Sequence, residues 1–325
     1  MKKFRILALL LVLTLSLGLV VGCEKPAENK EAKAPAQSTE EVKENEEERV
    51  DGAAFNVVDM TGREVSFEKT PEKVVAITPS DAENLNAIGA VDSLVGIGTY
   101  VDNPEEILSL PVVASGSDLN AEEIIALEPD LVLMADMAQS EEQIKALSDA
   151  GVNVVITNAG TIEEVYQALE LIGKVMGKED DAAKVIQDMK DSFKAIETNK
   201  ENLAGKKIYF EVSPLEYGLW SAGAHTFMDE IAQIVGLENI FADVEGWSEV
   251  SEEEVIARNP DYIVTITMGS MEGPSPVEEI MARPGWEGIT AVKEGKILNL
   301  VDNELSRPSV RLVQGAEALN DFVNK

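Results

Sequence analysis

The stretch Glu179-Asp-Asp-Ala-Ala-Lys-Val-Ile-Gln-Asp-Met-Lys-Asp-Ser-Phe-Lys-Ala-Ile-Glu-Thr-Asn-Lys-Glu-Asn-Leu203 contains neither Gly nor Pro. Its apolar residues Ala182, Val185, Ile186, Met189, Phe193 and Ile196 recur at i, i+3, i+4, i+7, i+11 and i+14, one stripe along a helix. Asp181, Lys184, Asp188, Asp191, Lys194 and Glu197 fill the other faces, and Gly177 and Gly205 bracket the run. At the α-helical rise such a helix is about 35 Å long, the diameter of a small domain. The chain on each side of it is domain-sized. The spacing therefore predicts a strut, residues 179–203, between two lobes, 55–178 and 204–325; an ordinary surface helix of one domain is the alternative.

The flanks decide between these. On the N-terminal side, Phe55-Asn-Val-Val-Asp and Arg63-Glu-Val-Ser-Phe around Met60-Thr-Gly predict a hairpin. Then strands (73–77, 94–98, 131–134, 152–157) alternate with helices (a first one ending at Ile88, then 122–128 and 141–150), and Thr161-x-x-Glu164 is a capping box opening a further helix. After the strut the pattern restarts: strand 207–211, helix 226–235, helix 252–258, strand 262–266, strand 296–300 and a closing helix from Val310. Alternation of this kind means parallel sheets covered on both faces. The fold class is α/β, two Rossmann-like lobes bridged by a single long helix.

The second half also repeats the first. Glu122-Glu-Ile-Ile-Ala-Leu-Glu-Pro-Asp-Leu-Val-Leu133 lies over Glu253-Glu-Val-Ile-Ala-Arg-Asn-Pro-Asp-Tyr-Ile-Val264 with no gap. Chance recurrence of a common α/β connection is the competing reading; internal duplication accounts better for the shared details. Two similar lobes leave a cleft between the carboxyl ends of their strands, where such sheets bind small ligands.

The first 22 residues are read as a secretory signal: Lys2, Lys3 and Arg5, an apolar run from Ile6 to Val21, then Leu19-Val-Val-Gly-Cys23. Its end resembles the bacterial lipoprotein signal, which makes Cys23, the one cysteine of the chain, a lipidated N-terminus carrying acyl chains such as palmitate. A signal-anchor helix that happens to hold a Cys is the alternative. Residues 23–54 are rich in Glu, Lys, Ala and Pro with almost no large apolar side chain, the composition of a flexible acidic tether. The expected location is extracytoplasmic, with a lipid anchor to the membrane. Lys+Arg 27 against Asp+Glu 60 gives a net charge of −33, which argues against nucleic acid as a partner.

At this point residues 55–325 resemble the periplasmic-binding-protein family that serves ABC importers of ferric siderophores, haem and cobalamin, with the family-type binding domain at about 74–325. The resemblance is carried by Val74-Val-Ala-Ile-Thr-Pro-Ser80 with Glu83 and Gly89, Gly98-Thr-Tyr100 with Pro104-Glu105, and Ile125-Ala-Leu-Glu-Pro-Asp-Leu131. Ala222-Gly223 with Thr226-Phe227, Glu238-Asn-Ile-Phe241, Trp247-Ser-Glu-Val-Ser251, Arg283-Pro-Gly-Trp286 and Ser306-Arg-Pro308 complete it. The family's Ser-x-Thr-Glu reads Ser80-Asp-Ala-Glu83 here, followed by Asn84 and Asn86.

The likeness is greatest to the cobalamin-binding branch. It implies a corrinoid, or else a ferric siderophore or haem, as transported ligand, with no intrinsic cofactor and no resident metal. It implies ligand contacts from Tyr100, Trp220, Trp247 and Arg307, with Tyr217 a further candidate. Rings suit a wide, mostly apolar plate, and Arg suits polar acceptors at its rim. The partners implied are a permease dimer with its ATPase subunits, met by one Glu of each lobe, Glu122 and Glu253, or their neighbours Glu123 and Glu254; the binding protein itself is expected to be a monomer. Trp286 reads as a packing anchor and His225 as an exposed turn residue.

Enzyme chemistry is not expected. With the one Cys spent on lipid, the one His has no Cys partner, the count excludes a His/Cys zinc site, and no Gly-x-Ser-x-Gly or phosphate-binding loop occurs. The competing functions are a lipoprotein binding a metal ion directly through carboxylates, and a surface adhesin or signalling module.

Overall fold

A computed structural model describes residues 54–115, 118–136, 141–197, 203–266, 273–301 and 303–325. The signal, Cys23 and nearly all of the tether lie outside the described residues.

The first lobe opens with the hairpin β1 (Phe55–Val58) and β2 (Glu64–Phe67), as expected. Asp59 closes its turn by accepting hydrogen bonds from the Thr61 and Arg63 amides, both 3.0 Å. Its sheet holds β3 (Val74–Ala76), β4 (Leu94–Gly98), β5 (Val112–Ser115), β6 (Asp118–Leu119), β7 (Leu131–Met134) and β8 (Asn153–Ile156) in the order β6-β5-β4-β3-β7-β8. Every neighbouring pair is parallel except β5–β6. Helices α1 (Pro79–Ala87), α2 (Ala121–Ala126), α3 (Glu141–Asp149) and α4 (Ile162–Met176) connect and cover it. The capping box opens α4: Thr161 accepts from the Glu164 amide and Glu164 from the Thr161 amide.

The bridging helix α5 spans Glu179–Glu197; residues 198–202 of the expected run lie outside the described residues. Ala182, Ile186, Met189, Phe193 and Ile196 of the stripe are buried. The second lobe comprises β9 (Lys207–Glu211), β10 (Trp220–Ala222), α6 (Phe227–Val235), β11 (Glu238–Asn239), β12 (Trp247–Glu249), α7 (Glu252–Arg258), β13 (Tyr262–Thr265), α8 (Pro276–Ala282), α9 (Thr290–Glu294), β14 (Ile297–Asn299) and α10 (Leu312–Val323). The parallel sheet here runs β11-β9-β13-β14, and β10 pairs β12 in a separate antiparallel ribbon. Helix α5 packs on α4 from one lobe and on α6 and α10 from the other. One continuous core therefore runs from Val57 through α5 to Val323, and both lobes fall within one compact unit.

The repeat read from sequence is also a repeat of structure. The central orders β4-β3-β7-β8 and β11-β9-β13-β14 are the same. Asn120 and Ser251 cap α2 and α7 through the Glu123 and Glu254 amides, each at 3.2 Å. Glu128 and Asn259 both turn left-handed, at φ 50° and 47°. Asp130 and Asp261 each accept a backbone amide at the start of the neighbouring strand, from Lys73 and Lys207, at 2.9 Å.

Some boundaries differ from the sequence reading. Helix α2 starts at Ala121 because Asn120 supplies the cap. Helix α10 starts at Leu312, not Val310, because residues 306–311 are drawn into hydrogen bonds with the first lobe. The strands β5, β6, β10, β11 and β12 add to the expected set; four of them are only two or three residues long, too brief to carry a periodicity.

Candidate functional site

The carboxyl ends of β3, β4 and β9 supply the candidate residues, so the site is built by the fold rather than by one motif. After β3, Thr78 and Pro79 start α1. Asp81, in its first turn, is buried (1 % exposed) and accepts hydroxyl hydrogen bonds from Thr78 and from Thr157 just past β8. Burial pushes its carboxyl up to about 6, although both hydroxyls oppose the shift.

Two residues along α1, the Glu83 side chain is 1 % exposed and accepts from Arg307 at 3.1 Å, Arg311 at 3.2 Å and the Ser309 hydroxyl. Asn84 accepts the Val310 amide at 3.2 Å. These four bonds join the first lobe to the segment before α10, which explains why polar residues stand at the buried positions 83 and 84 of α1.

Beyond β4 the chain turns at Gly98, where a Cβ would collide with the Ile77 carbonyl. Tyr100 follows with its side chain in solvent, 66 % exposed. Its carbonyl accepts from Arg307 Nη2 at 3.1 Å, and Asp102 accepts from both terminal nitrogens of Arg307 and from Asn303. The hydrogen bond from Arg307, with its charge, holds the Asp102 carboxyl below the usual carboxylate range despite partial burial. Tyr100 and Arg307 are thus brought together through the tyrosine's backbone.

In the second lobe, the β10–β12 ribbon grows from the end of β9: Val212 N donates to the Trp220 carbonyl at 3.0 Å. Its register pairs Trp220 with Glu249 and Ala222 with Trp247. Residues two apart on a strand share a face, so Trp220 and Trp247 stand on the same side of the ribbon, diagonally across it. Each is 40 % exposed. Trp247 rests on Phe227, ring centroids 5.3 Å apart, at the start of α6. Gly223 lets the two strands close, since a Cβ there would meet the Val244 carbonyl and, at 2.8 Å, the Gly246 carbonyl.

Tyr217 stands on a short 3-10 turn beside the ribbon, 75 % exposed. Trp286 is fully buried and edges onto Tyr209, while His225 is exposed and paired with Glu245. Sequence reasoning did not find Asp102, which carries no motif, nor the role of Glu83.

The lobes also meet at the start of α4. The Phe227 amide donates to the Gly160 carbonyl at 2.7 Å, and Glu230 accepts the Ile162 amide at 2.6 Å, so α6 caps α4. Glu122 and Glu253 occupy the first turns of α2 and α7 and are exposed. In the second lobe the neighbouring carboxylates are already engaged: Glu252 accepts the Trp286 indole at 2.9 Å and Glu254 completes the box with Ser251.

A family model described as periplasmic binding protein matches residues 74–303. The chain belongs to that family. It is 30 % identical over 317 residues, 96 % of this chain and 95 % of the relative, to an uncharacterized ABC transporter substrate-binding lipoprotein, YvrC, of Bacillus subtilis strain 168. It is 25 % identical over 260 residues, 80 % of this chain and 90 % of the relative, to the vitamin B12-binding protein of Photorhabdus laumondii. Among solved structures, a possible iron-binding periplasmic solute-binding protein of Staphylococcus epidermidis superposes with TM-score 0.68 at 30 % identity, over 79 % of this chain and all of the other. The chain is therefore an extracytoplasmic substrate-binding protein of an ABC importer, working with a permease and its ATPase, and not an enzyme. No helix among the described residues is long and apolar enough to cross a membrane.

Proposed function

We propose that this protein captures a metal chelate, a corrinoid before a ferric siderophore or haem, between its lobes and delivers it to the permease. The observation that carries this reading is the pair of half-exposed tryptophans on one face of the β10–β12 ribbon. Two rings side by side offer broad apolar contact with few rotamers to freeze, which suits a macrocyclic plate. Tyr100, exposed on the other lobe, supplies a third ring, and Tyr217 flanks the ribbon. The B12-binding relative supports a corrinoid, and the possible iron-binding one keeps ferric chelates as the next choice. A carboxylate site for a bare metal ion has less support: among the described residues no group of three His, Cys, Asp or Glu side chains is disposed to hold one.

Lipidation at Cys23 is part of the proposal, supported by Leu19-Val-Val-Gly-Cys23 and by the lipoprotein relative. So is a monomeric state, since one chain supplies both lobes. For docking, Glu253 is favoured over Glu254, whose carboxylate is occupied by its cap. Glu122 is its counterpart in the repeat, and one carboxylate per lobe suits bidentate arginines on a twofold permease.

The test is to incubate the purified protein with cyanocobalamin, dicyanocobinamide, haemin and a ferric hydroxamate, and to pass each mixture over a sizing column. Visible absorbance co-eluting in a one-to-one ratio with one of them is expected. Four colourless protein peaks would refute the chelate reading.

A further inference from the structure

We propose that Arg307 is a positioning residue and not a ligand contact: with Glu83 and Asp102 it clasps the two lobes together and fixes the Tyr100 loop for the bound chelate. The ligand half of this inference rests on the function proposed above; the clasp itself does not.

The first argument is a count of donors. A guanidinium has four N–H bonds on its two terminal nitrogens and one on Nε. Arg307 Nη1 gives to Glu83 and Asp102, and Nη2 gives to Asp102 and the Tyr100 carbonyl. Its side chain is 12 % exposed. All four terminal donors are therefore spent within the protein, and none is left to aim at a ligand.

The second argument is charge. Glu83, with a side chain 1 % exposed, is a carboxylate that has left water. Such a group is tolerable only when paired, and removing one partner of a buried pair leaves an uncompensated charge. Arg307 and Arg311 supply two positive charges and Glu83 and Asp102 two negative ones, so the cluster is balanced only while both lobes contribute. Glu83 lies in α1 and Asp102 in the loop after β4, whereas both arginines precede α10 in the other lobe.

The third argument concerns what is held and what is left free. Three further bonds run across the same seam: the Asn303 side-chain amide to Asp102 at 3.0 Å, the Val310 amide to Asn84, and the Ser309 hydroxyl to Glu83. The first of these, with the bonds from Arg307 to the Tyr100 carbonyl and to Asp102, holds residues 100–102, and the other two tie α1 to the same segment, while the Tyr100 ring stays in solvent. A ring on a fixed backbone loses less freedom on binding than one on a slack loop, and that difference appears as affinity.

The experiment is a double-mutant cycle with cyanocobalamin as probe, using Arg307→Gln and Tyr100→Ala singly and together. Arg307→Gln should weaken binding on the order of tenfold, the size of a coupling between contacting residues. It should add nothing further in the Tyr100→Ala background, because its effect passes through that ring. Losses that multiply would make Arg307 an independent ligand contact and overturn the proposal. A second measurement needs no ligand. Asp102→Asn, a partly exposed and isosteric change, should speed amide hydrogen exchange at residues 99–103 and 303–307 and leave the core of β7 and β13 unaltered. Unchanged exchange in those two segments refutes the clasp. If no chelate binds at all, the ligand reading fails while the exchange measurement still decides the clasp.

Discussion

Removing one tryptophan of the ribbon should weaken chelate binding by an amount that the structure bounds. Trp220 and Trp247 are each 40 % exposed. For a side chain of about 250 Å², that leaves about 100 Å² per ring for a ligand to cover. At about 25 cal/mol per Å², full coverage is worth about 2.5 kcal/mol, and coverage of little more than one edge or part of a face about 1 kcal/mol. Trp220→Ala and Trp247→Ala should therefore each raise Kd by about 5- to 70-fold.

The buried part of Trp247 packs on Phe227, so Trp247→Ala also costs folding stability. Trp247→Leu retains more of that packing and separates the two effects. Trp286, fully buried in the second lobe's core with no ring surface for a ligand to cover, is the control: Trp286→Phe should leave Kd unchanged. Calorimetric titration of whichever chelate co-elutes gives the values, with near-ultraviolet circular dichroism confirming a native fold. Affinity within twofold of the unmodified protein in both Trp220→Ala and Trp247→Ala would refute the ribbon as the binding platform.

Three other outcomes are expected. Glu122→Ala and Glu253→Ala should leave chelate affinity intact but slow uptake in cells, the double variant more than either single one; normal uptake by the double variant would reduce these carboxylates to a helix-dipole role. Asp81 has a folded-state carboxyl raised to about 6 against 3.8, so its contribution is fully favourable below pH 3.8 and is lost as pH rises through about 6. Asp81→Asn should therefore stabilise the protein at pH 7.5, by on the order of 3 kcal/mol, and not at pH 3.5; equal denaturant midpoints at pH 7.5 would contradict this. Arg283 and Glu211 have side chains that are each 1 % exposed and are joined at 2.8 Å and 3.1 Å. Arg283→Met alone should cost about 3–5 kcal/mol by stranding Glu211, and Arg283→Met with Glu211→Leu much less, as read by urea unfolding.

The sequence by itself determined the α/β class, the bridging helix and the internal repeat. Each of these is written in local terms: a 3.6-residue stripe over Ala182–Ile196, a capping box at Thr161, and Pro-Asp at the start of β7 and β13. Helical hydrogen bonding is local, and a helix that buries one face shows the same apolar period whatever packs on it, so periodicity reveals it. The candidate aromatics were legible too, but only as residues next to strand ends.

Tertiary structure decided which of them face one another. The ribbon that aligns Trp220 with Trp247 consists of two strands of three residues each, separated by α6 and β11, and nothing in so short a run announces its partner. Tertiary structure also decided the state of Arg307. Its partners Glu83 and Asp102 lie more than two hundred positions earlier in the chain, at |i−j| of 224 and 205. An exposed arginine and one saturated by two buried or half-buried carboxylates look alike in sequence. They differ only in what the folded lobes bring within hydrogen-bonding distance, and in the water that is thereby excluded.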